Sequence, residues 1–127
     1  MCVVVPVFVE KKLAYFTASI AHKSDIGGSV PGSCSGKATD IYSEGIHFPP
    51  IRFVQDREIS PEIEALIRAN SRAAELVMGD IRGQLGCGWL GLDRIIELVD
   101  KYGRDTIDGA IDQRIAGVEW TIRNEFR

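Results

Sequence analysis

The spacing of apolar residues changes period near residue 57, and that change restricts the fold class more than any other feature. Before it, residues 2 to 9 (CVVVPVFV) and 13 to 20 (LAYFTASI) are short runs rich in β-branched and aromatic residues. With Glu10-Lys11-Lys12 between them, they predict a β-hairpin closed by a short polar turn. Pro6 has no N–H to give to a ladder, so the first strand is expected at a sheet edge or with a bulge there. Residues 51 to 55 (IRFVQ) predict a short third strand. Beyond residue 57 the apolar positions recur at three and four. Ser60 is placed as an N-cap, Pro61 fits the first helical position, and Glu62 and Glu64 suit the positive end of the helix dipole. Ile63, Leu66 and Ile67 then share a face, and this helix should fade by Asn70-Ser71.

A longer helical pattern runs from about Ala73 to Tyr102, with Leu76, Val77, Ile81, Leu85, Leu92, Ile95, Ile96 and Val99 on its stripe. Gly103 suits the position just past a helix end, and Asp105 is expected to cap the next helix. In that last helix Ile107, Ile111, Ile115, Val118 and Ile122 repeat at helical spacing. Gly79, Gly83, Gly86, Gly88 and Gly91 interrupt the long pattern, each costing roughly 0.5–1 kcal/mol relative to Ala. Either the helix breaks near Gly86-Cys87-Gly88, or the glycines allow another element or a ligand to approach the backbone closely. The predicted class is α+β: an N-terminal β-hairpin plus a short third strand, a Gly/Ser/Pro-rich loop, then three or four helices. Residues 1–57 form the strand and loop region and 58–127 the helical region.

Composition narrows the function classes. At 127 residues the chain suits one domain, and 45% hydrophobic with 26% charged residues is an ordinary globular balance. The net charge of −3 offers no basic surface for nucleic acid or anionic lipid. No apolar run approaches the roughly 20 residues of a membrane span. The first charges follow the apolar start, the reverse of a secretory signal. Cys2, Cys34 and Cys87 are odd in number and lack C-x-x-C spacing, so a reducing cytoplasm is the expected compartment.

Residues 22 to 50 hold five Gly, three Pro and five Ser, and a loop of that length inside a compact domain is usually functional or disordered. At its start, His22-Lys23-Ser24-Asp25-Ile26-Gly27-Gly28 follows a predicted strand directly. An imidazole and a carboxylate three residues apart on a tight turn can reach one divalent ion, and this nitrogen-plus-oxygen pair suits Zn, Mn or Fe. The same spacing also occurs in plain surface turns. His47 lies across the loop in Glu44-Gly45-Ile46-His47, and a loop that returns could bring Glu44 or His47 beside the first pair. Gly32 to Ala38 (GSCSGKA) has three residues between its glycines where a phosphate-binding loop needs four, and Ala38 where a hydroxyl belongs, so ATP is not expected here. Asp80 and Arg82 flank Ile81, which is equally consistent with a local ion pair.

Taken together, several stretches resemble one family. The hydantoinase B/oxoprolinase family carries A-H-H-A-D-I-G-G after a strand, then V-P-G-S and A-T-E-I-Y-x-E-G-x-x-x-P-P. A G-D-L-R-A-Q helix and an L-L-E-L-I-x-x-Y-G stretch follow. Here the corresponding residues are Ala21 to Gly28, Val30 to Ser33, Ala38 to Gly45 with Pro49-Pro50, Gly79 to Gln84, and Ile95 to Gly103. Order and spacing match over roughly residues 5 to 120. Lys23 replaces the second histidine of the family pattern, and His47 falls where many relatives have Arg.

The resemblance implies a partial domain over residues 1–127, from the catalytic B-type subunit of an ATP-dependent enzyme that opens small cyclic amides such as hydantoins or 5-oxoproline. The related acetone-carboxylase branch is the alternative, and a non-catalytic remnant that only binds a partner subunit is a third reading. An A-type partner subunit would handle ATP and phosphorylate the substrate. The resemblance assigns His22 and Asp25 to a divalent metal; His47 is a further candidate from the returning loop alone. Glu44, Asp40 and Asp80 are then candidates for general base or for orienting a ligand. Family members are several times longer, Met1 falls within their domain, and the chain stops inside a helix. An internal fragment is therefore expected, inactive in isolation.

Overall fold

The computed structural model describes residues 1–126 and has the α+β architecture that the periodicity predicts. Strands β1 (Cys2–Val9) and β2 (Lys12–Ile20) pair as a two-stranded sheet. Glu10 and Lys11 between them have φ of 50° and 64°, the left-handed pair that a two-residue hairpin turn requires. With a single partner, β1 is an edge strand, which is where Pro6 is tolerated. Side chains alternate along β1: Val3 and Val7 are buried, while Val4 and Phe8 are exposed.

The third strand is shorter than expected and is not alone. Strand β3 (Val54–Gln55) pairs antiparallel with β4 (Glu58–Ile59), Val54 opposite Ile59 and Gln55 opposite Glu58. Asp56 and Arg57 form their turn with φ of 51° and 64°. Asp-Arg is a weak turn signal without the usual glycine, so this second hairpin was hidden in the sequence.

Three helices follow. Helix α1 (Pro61–Asn70) begins after Ser60, but the Ser60 hydroxyl does not cap it. It donates to Glu62 Oε2 at 2.6 Å instead, which holds the Glu62 carboxyl below its usual range. Helix α2 (Ala74–Tyr102) is continuous, so the break at Gly86-Cys87-Gly88 does not occur. Close approach explains two of its glycines. A Cβ on Gly88 would lie 2.7 Å from Val5 Cγ2, and one on Gly91 would lie 2.9 Å from Thr17 Cγ2. Thr17 Oγ1 also donates to the Gly88 carbonyl at 2.8 Å. Gly79, Gly83 and Gly86 have open space where a side chain would be.

Helix α3 (Arg104–Glu125) starts directly after Gly103, whose φ of 79° makes the corner between the helices. Gly103 therefore occupies the cap position, and Asp105 lies inside the first turn rather than capping it.

Contacts divide the chain into two units, Met1–Val3 with residues 18–87 and Val4–Thr17 with residues 88 onward. In the first, Val3, Ile67, Val77, Met78, Ile81 and Leu85 are buried. In the second, Val7 and Val99 are buried, and Tyr15 donates its hydroxyl to Asp108 of α3. That bond raises the Tyr15 pKa and lowers that of Asp108. Helix α3 has no buried residue, and Ile111, Ile115, Val118 and Ile122 are all exposed. Among the described residues no helix is long and apolar enough to cross a membrane.

Candidate functional site

The loop that leaves β2 is organised around one carboxylate. Asp25 is only 3% exposed, and each of its oxygens accepts two hydrogen bonds. Oδ1 takes the backbone N–H groups of Gly27 (2.9 Å) and Arg72 (3.1 Å). Oδ2 takes the Gly32 N–H (2.9 Å) and Arg72 Nη1 (3.0 Å). The N–H donors of Gly27, Gly32 and Arg72, with the Arg72 guanidinium, hold the Asp25 carboxyl far below the usual carboxylate range. Ser33 closes the same turn: its Oγ accepts from Ile26 N and donates to the Gly27 carbonyl, both at 2.7 Å.

The loop returns alongside this turn, one of the courses left open by the sequence. Ile46 N donates to the Ile26 carbonyl at 2.9 Å, and Ser29 N donates to the Ser43 carbonyl at 3.0 Å. Glycine is required at both contacts. A Cβ on Gly28 would stand 2.6 Å from Ser43 O, and one on Gly45 would stand 2.5 Å from Ile26 O, both at positive φ. The residue after Asp25 is thus bonded to the residue before His47.

The remaining candidates have distinct places. His22 and His47 are exposed, and the His47 ring lies 6.3 Å from that of Tyr42, tilted by 32°. Asp40 turns its carboxylate back to accept from Ser43 N and Ser43 Oγ, both at 3.0 Å, capping a 3₁₀ turn over Ile41–Glu44. Glu44 ends that turn, exposed. Asp80 is exposed on α2, where its charge opposes the effect of burial on Lys23, whose pKa is lowered. Lys23 Nζ donates to Gln84 Oε1, and the buried Gln84 amide donates to the Ser19 carbonyl at 3.0 Å. Gly32 to Lys37 forms turns and leads into no helix.

Imidazole and carboxylate donors on adjoining backbone segments are the right chemistry for a divalent cation. The set is partial. Among the described residues no three His, Cys, Asp or Glu side chains gather as a metal group, and the acceptor positions of Asp25 are filled. A cation on Asp25 would take the place of one of these donors.

Two residues central to this geometry carry no sequence signal. Arg72 and Ser71 sit in the short link between α1 and α2, where a polar pair reads as an ordinary helix end. Ser71 Oγ donates to the Asp25 carbonyl at 2.8 Å. The single clue was Asp25 itself, a carboxylate in a glycine turn that needs donors once it is buried.

Comparison with known proteins identifies the family. The sequence profile described as Hydantoinase B/oxoprolinase matches residues 1–127. Caprolactamase subunit beta of Pseudomonas jessenii is 33% identical over 112 residues, covering 88% of this chain and 19% of that protein. The 5-oxoprolinase of Dictyostelium discoideum is 28% identical over 98% of this chain and 10% of its own length. The crystal structure of the ATP-dependent caprolactamase from Pseudomonas jessenii superposes with a TM-score of 0.80 at 33% identity, over 88% of this chain and 19% of that one. The chain therefore spans about a fifth of the caprolactamase subunit's length. A whole-length profile match and a shared fold at this identity settle the matter: the chain belongs to the hydantoinase B/oxoprolinase family.

Proposed function

We propose that this chain is part of a B-type subunit of an ATP-dependent cyclic-amide hydrolase, cytoplasmic and working with an A-type partner. The observation that carries this reading is the family match over the whole chain together with the 0.80 TM-score to an ATP-dependent caprolactamase. In the reaction, the partner activates the ring amide by phosphoryl transfer from ATP to the amide oxygen, releasing ADP. Water then adds to the activated carbon, the ring C–N bond breaks as the nitrogen takes a proton, and a second water releases inorganic phosphate from the acyl phosphate so formed. His22, Asp25 and His47 would hold a divalent cation, Asp25 by exchanging one of its four hydrogen-bond donors for the ion, with the remaining ligands from the rest of a full-length subunit. When bound, the cation would polarise the carbonyl or acidify water.

This chain's own residues have separable parts in that scheme. The Asp25 turn, the Gly28–Ser43 approach and the Ile26–Ile46 bond hold together the two loop segments to which His22 and His47 belong. Glu44, exposed next to Gly45 on the returning segment, would serve as the base toward water. Asp40 is engaged by Ser43, and it orients the turn that carries Glu44. Asp80 balances Lys23 at the base of the loop.

A full-length B-type subunit carrying this segment, purified with its A-type partner, tests the reading. Ring opening of a hydantoin, 5-oxoproline or a lactam should require ATP. His22→Ala, His47→Ala and Glu44→Gln should each lower kcat by about 10²–10⁴-fold, the usual range for loss of a positioned proton-transfer or activating group. All three are exposed, so the fold should survive each change. Full activity in all three variants would overturn the site assignment. A second reading rests on the acetophenone carboxylase delta subunit of Aromatoleum aromaticum, 29% identical over 84% of this chain. Bicarbonate-dependent consumption of a ketone, without amide hydrolysis, would favour it.

A further inference from the structure

The loop of residues 25 to 33 makes no regular ladder of its own, yet its backbone carbonyls converge on one side chain. Arg72 Nη2 donates to the Gly28 carbonyl at 2.6 Å, and Nη1 donates to the carbonyls of Val30 (3.2 Å) and Gly27 (3.4 Å) and to Asp25 Oδ2 (3.0 Å). The Arg72 backbone N–H takes the other Asp25 oxygen. Just before it, Ser71 Oγ holds the Asp25 carbonyl and in turn accepts from Ala73 N at 3.1 Å. The link between α1 and α2 thus binds the loop through both main chain and side chain. Gly27 packs against it so closely that a Cβ would lie 2.8 Å from the Asn70 carbonyl.

We propose that Arg72 is the positioning residue of the candidate site. It fixes the turn that carries Asp25, and through the Ile26–Ile46 and Ser29–Ser43 bonds it also fixes the segment carrying Glu44 and His47. The word "site" rests on the reading given under Proposed function; the clamp itself rests on the hydrogen bonds alone. A guanidinium is needed for geometric reasons. Its planar fork reaches a carboxylate and separated carbonyls together from two nitrogens, whereas a lysine ammonium is a single point charge without that fork and reproduces only part of the set.

Hydrogen exchange on the chain, followed at the amides of Ile26, Gly27, Gly32 and Ile46, tests the clamp. In Arg72→Met these amides should exchange about tenfold faster or more, while those of Ile81 and Leu85 in the buried part of α2 stay as in the parent. Arg72→Lys, the milder change should the first fail to fold, should recover only part of the protection. In the full-length subunit with its A-type partner, Arg72→Lys should lower kcat about tenfold with KM within about twofold, the pattern expected when a reacting group is misplaced and not unbound. Unchanged loop exchange in Arg72→Met, or parent-like exchange and kcat in Arg72→Lys, overturns the proposal. An inactive parent holoenzyme would strike the proposed function instead, and the exchange result would still decide the clamp.

Discussion

Asp25 behaves as the keystone of its loop, and its ionisation has a direct consequence for stability. Its native carboxyl is held well below the ordinary value of 3.8 by three backbone N–H donors and by Arg72. A group whose folded pKa is depressed adds stability that is fully present above its unfolded pKa, and this is lost as pH falls toward the folded value. The loss should therefore begin at about pH 4–5 and deepen on further acidification. Urea melts of the parent and of Asp25→Asn at falling pH provide the check. The variant should be less stable at neutral pH, because an amide NH₂ now faces donors, and its stability should fall less steeply below pH 5 or so. Parallel curves through the acid range would show that the carboxylate does not couple to folding. Arg72 could not be anticipated in the same way. Its bonds join positions more than forty residues apart, and no local pattern encodes such a contact.

At the scale of elements, the glycines of α2 separate two roles that look alike in sequence. Gly88→Ala would push a methyl to 2.7 Å from Val5 Cγ2, and a β-branched neighbour has little freedom to turn away. Overpacking of this kind should destabilise the chain by about 1–3 kcal/mol. Gly79→Ala, Gly83→Ala and Gly86→Ala meet open space and should each stabilise it by about 0.5–1 kcal/mol through helix propensity. Thermal melts of the four variants test both signs, and a destabilising Gly83→Ala would mean that the open face of α2 is covered in solution. The same helix shows how far the sequence could be read. Its apolar period gave its extent to within a residue at the start, and Gly103 marked its end, because both signals are local. Continuity through Gly86-Cys87-Gly88 was undecidable from propensity, since the Thr17 hydroxyl and Val5 that fit against Gly88 come from the distant hairpin. The β3–β4 hairpin was missed for the opposite reason: a two-residue ladder and an Asp-Arg turn leave too little pattern to see. Within the candidate site, the loop's return was one of the possibilities the sequence offered, and the partners of each carboxylate were not legible.

For the molecule as a whole, chemistry and surface lead to separate expectations. The described residues include no phosphate-binding loop opening a helix, and the chain spans about a fifth of the caprolactamase subunit that it matches. The purified chain with ATP and a divalent ion should therefore release no ring-opened product from a hydantoin or 5-oxoproline; turnover by the chain alone would refute the division of labour proposed above. The second expectation concerns association. On the outer face of the hairpin, Val4, Phe8 and Phe16 are each more than half exposed, and β1 carries no charged residue to discourage edge pairing. On α3, Ile115 is 62% exposed and Trp120 68%, with Val118 and Ile122 continuing the stripe between Arg114 and Arg123. Contiguous apolar patches beyond a few hundred Å² are uncommon on soluble monomers, because covering them removes surface from water at roughly 25 cal/mol per Å². The chain should accordingly associate as its concentration rises, which sedimentation velocity would record as a growing average mass. Ile115→Glu with Ile122→Lys places charges in the α3 stripe without touching any buried residue, and should shift the population toward monomer with little change in the melting temperature. If the parent sediments as a single monomer at every concentration, these faces are tolerated by water, and the apolar stripe of α3 does not mediate self-association.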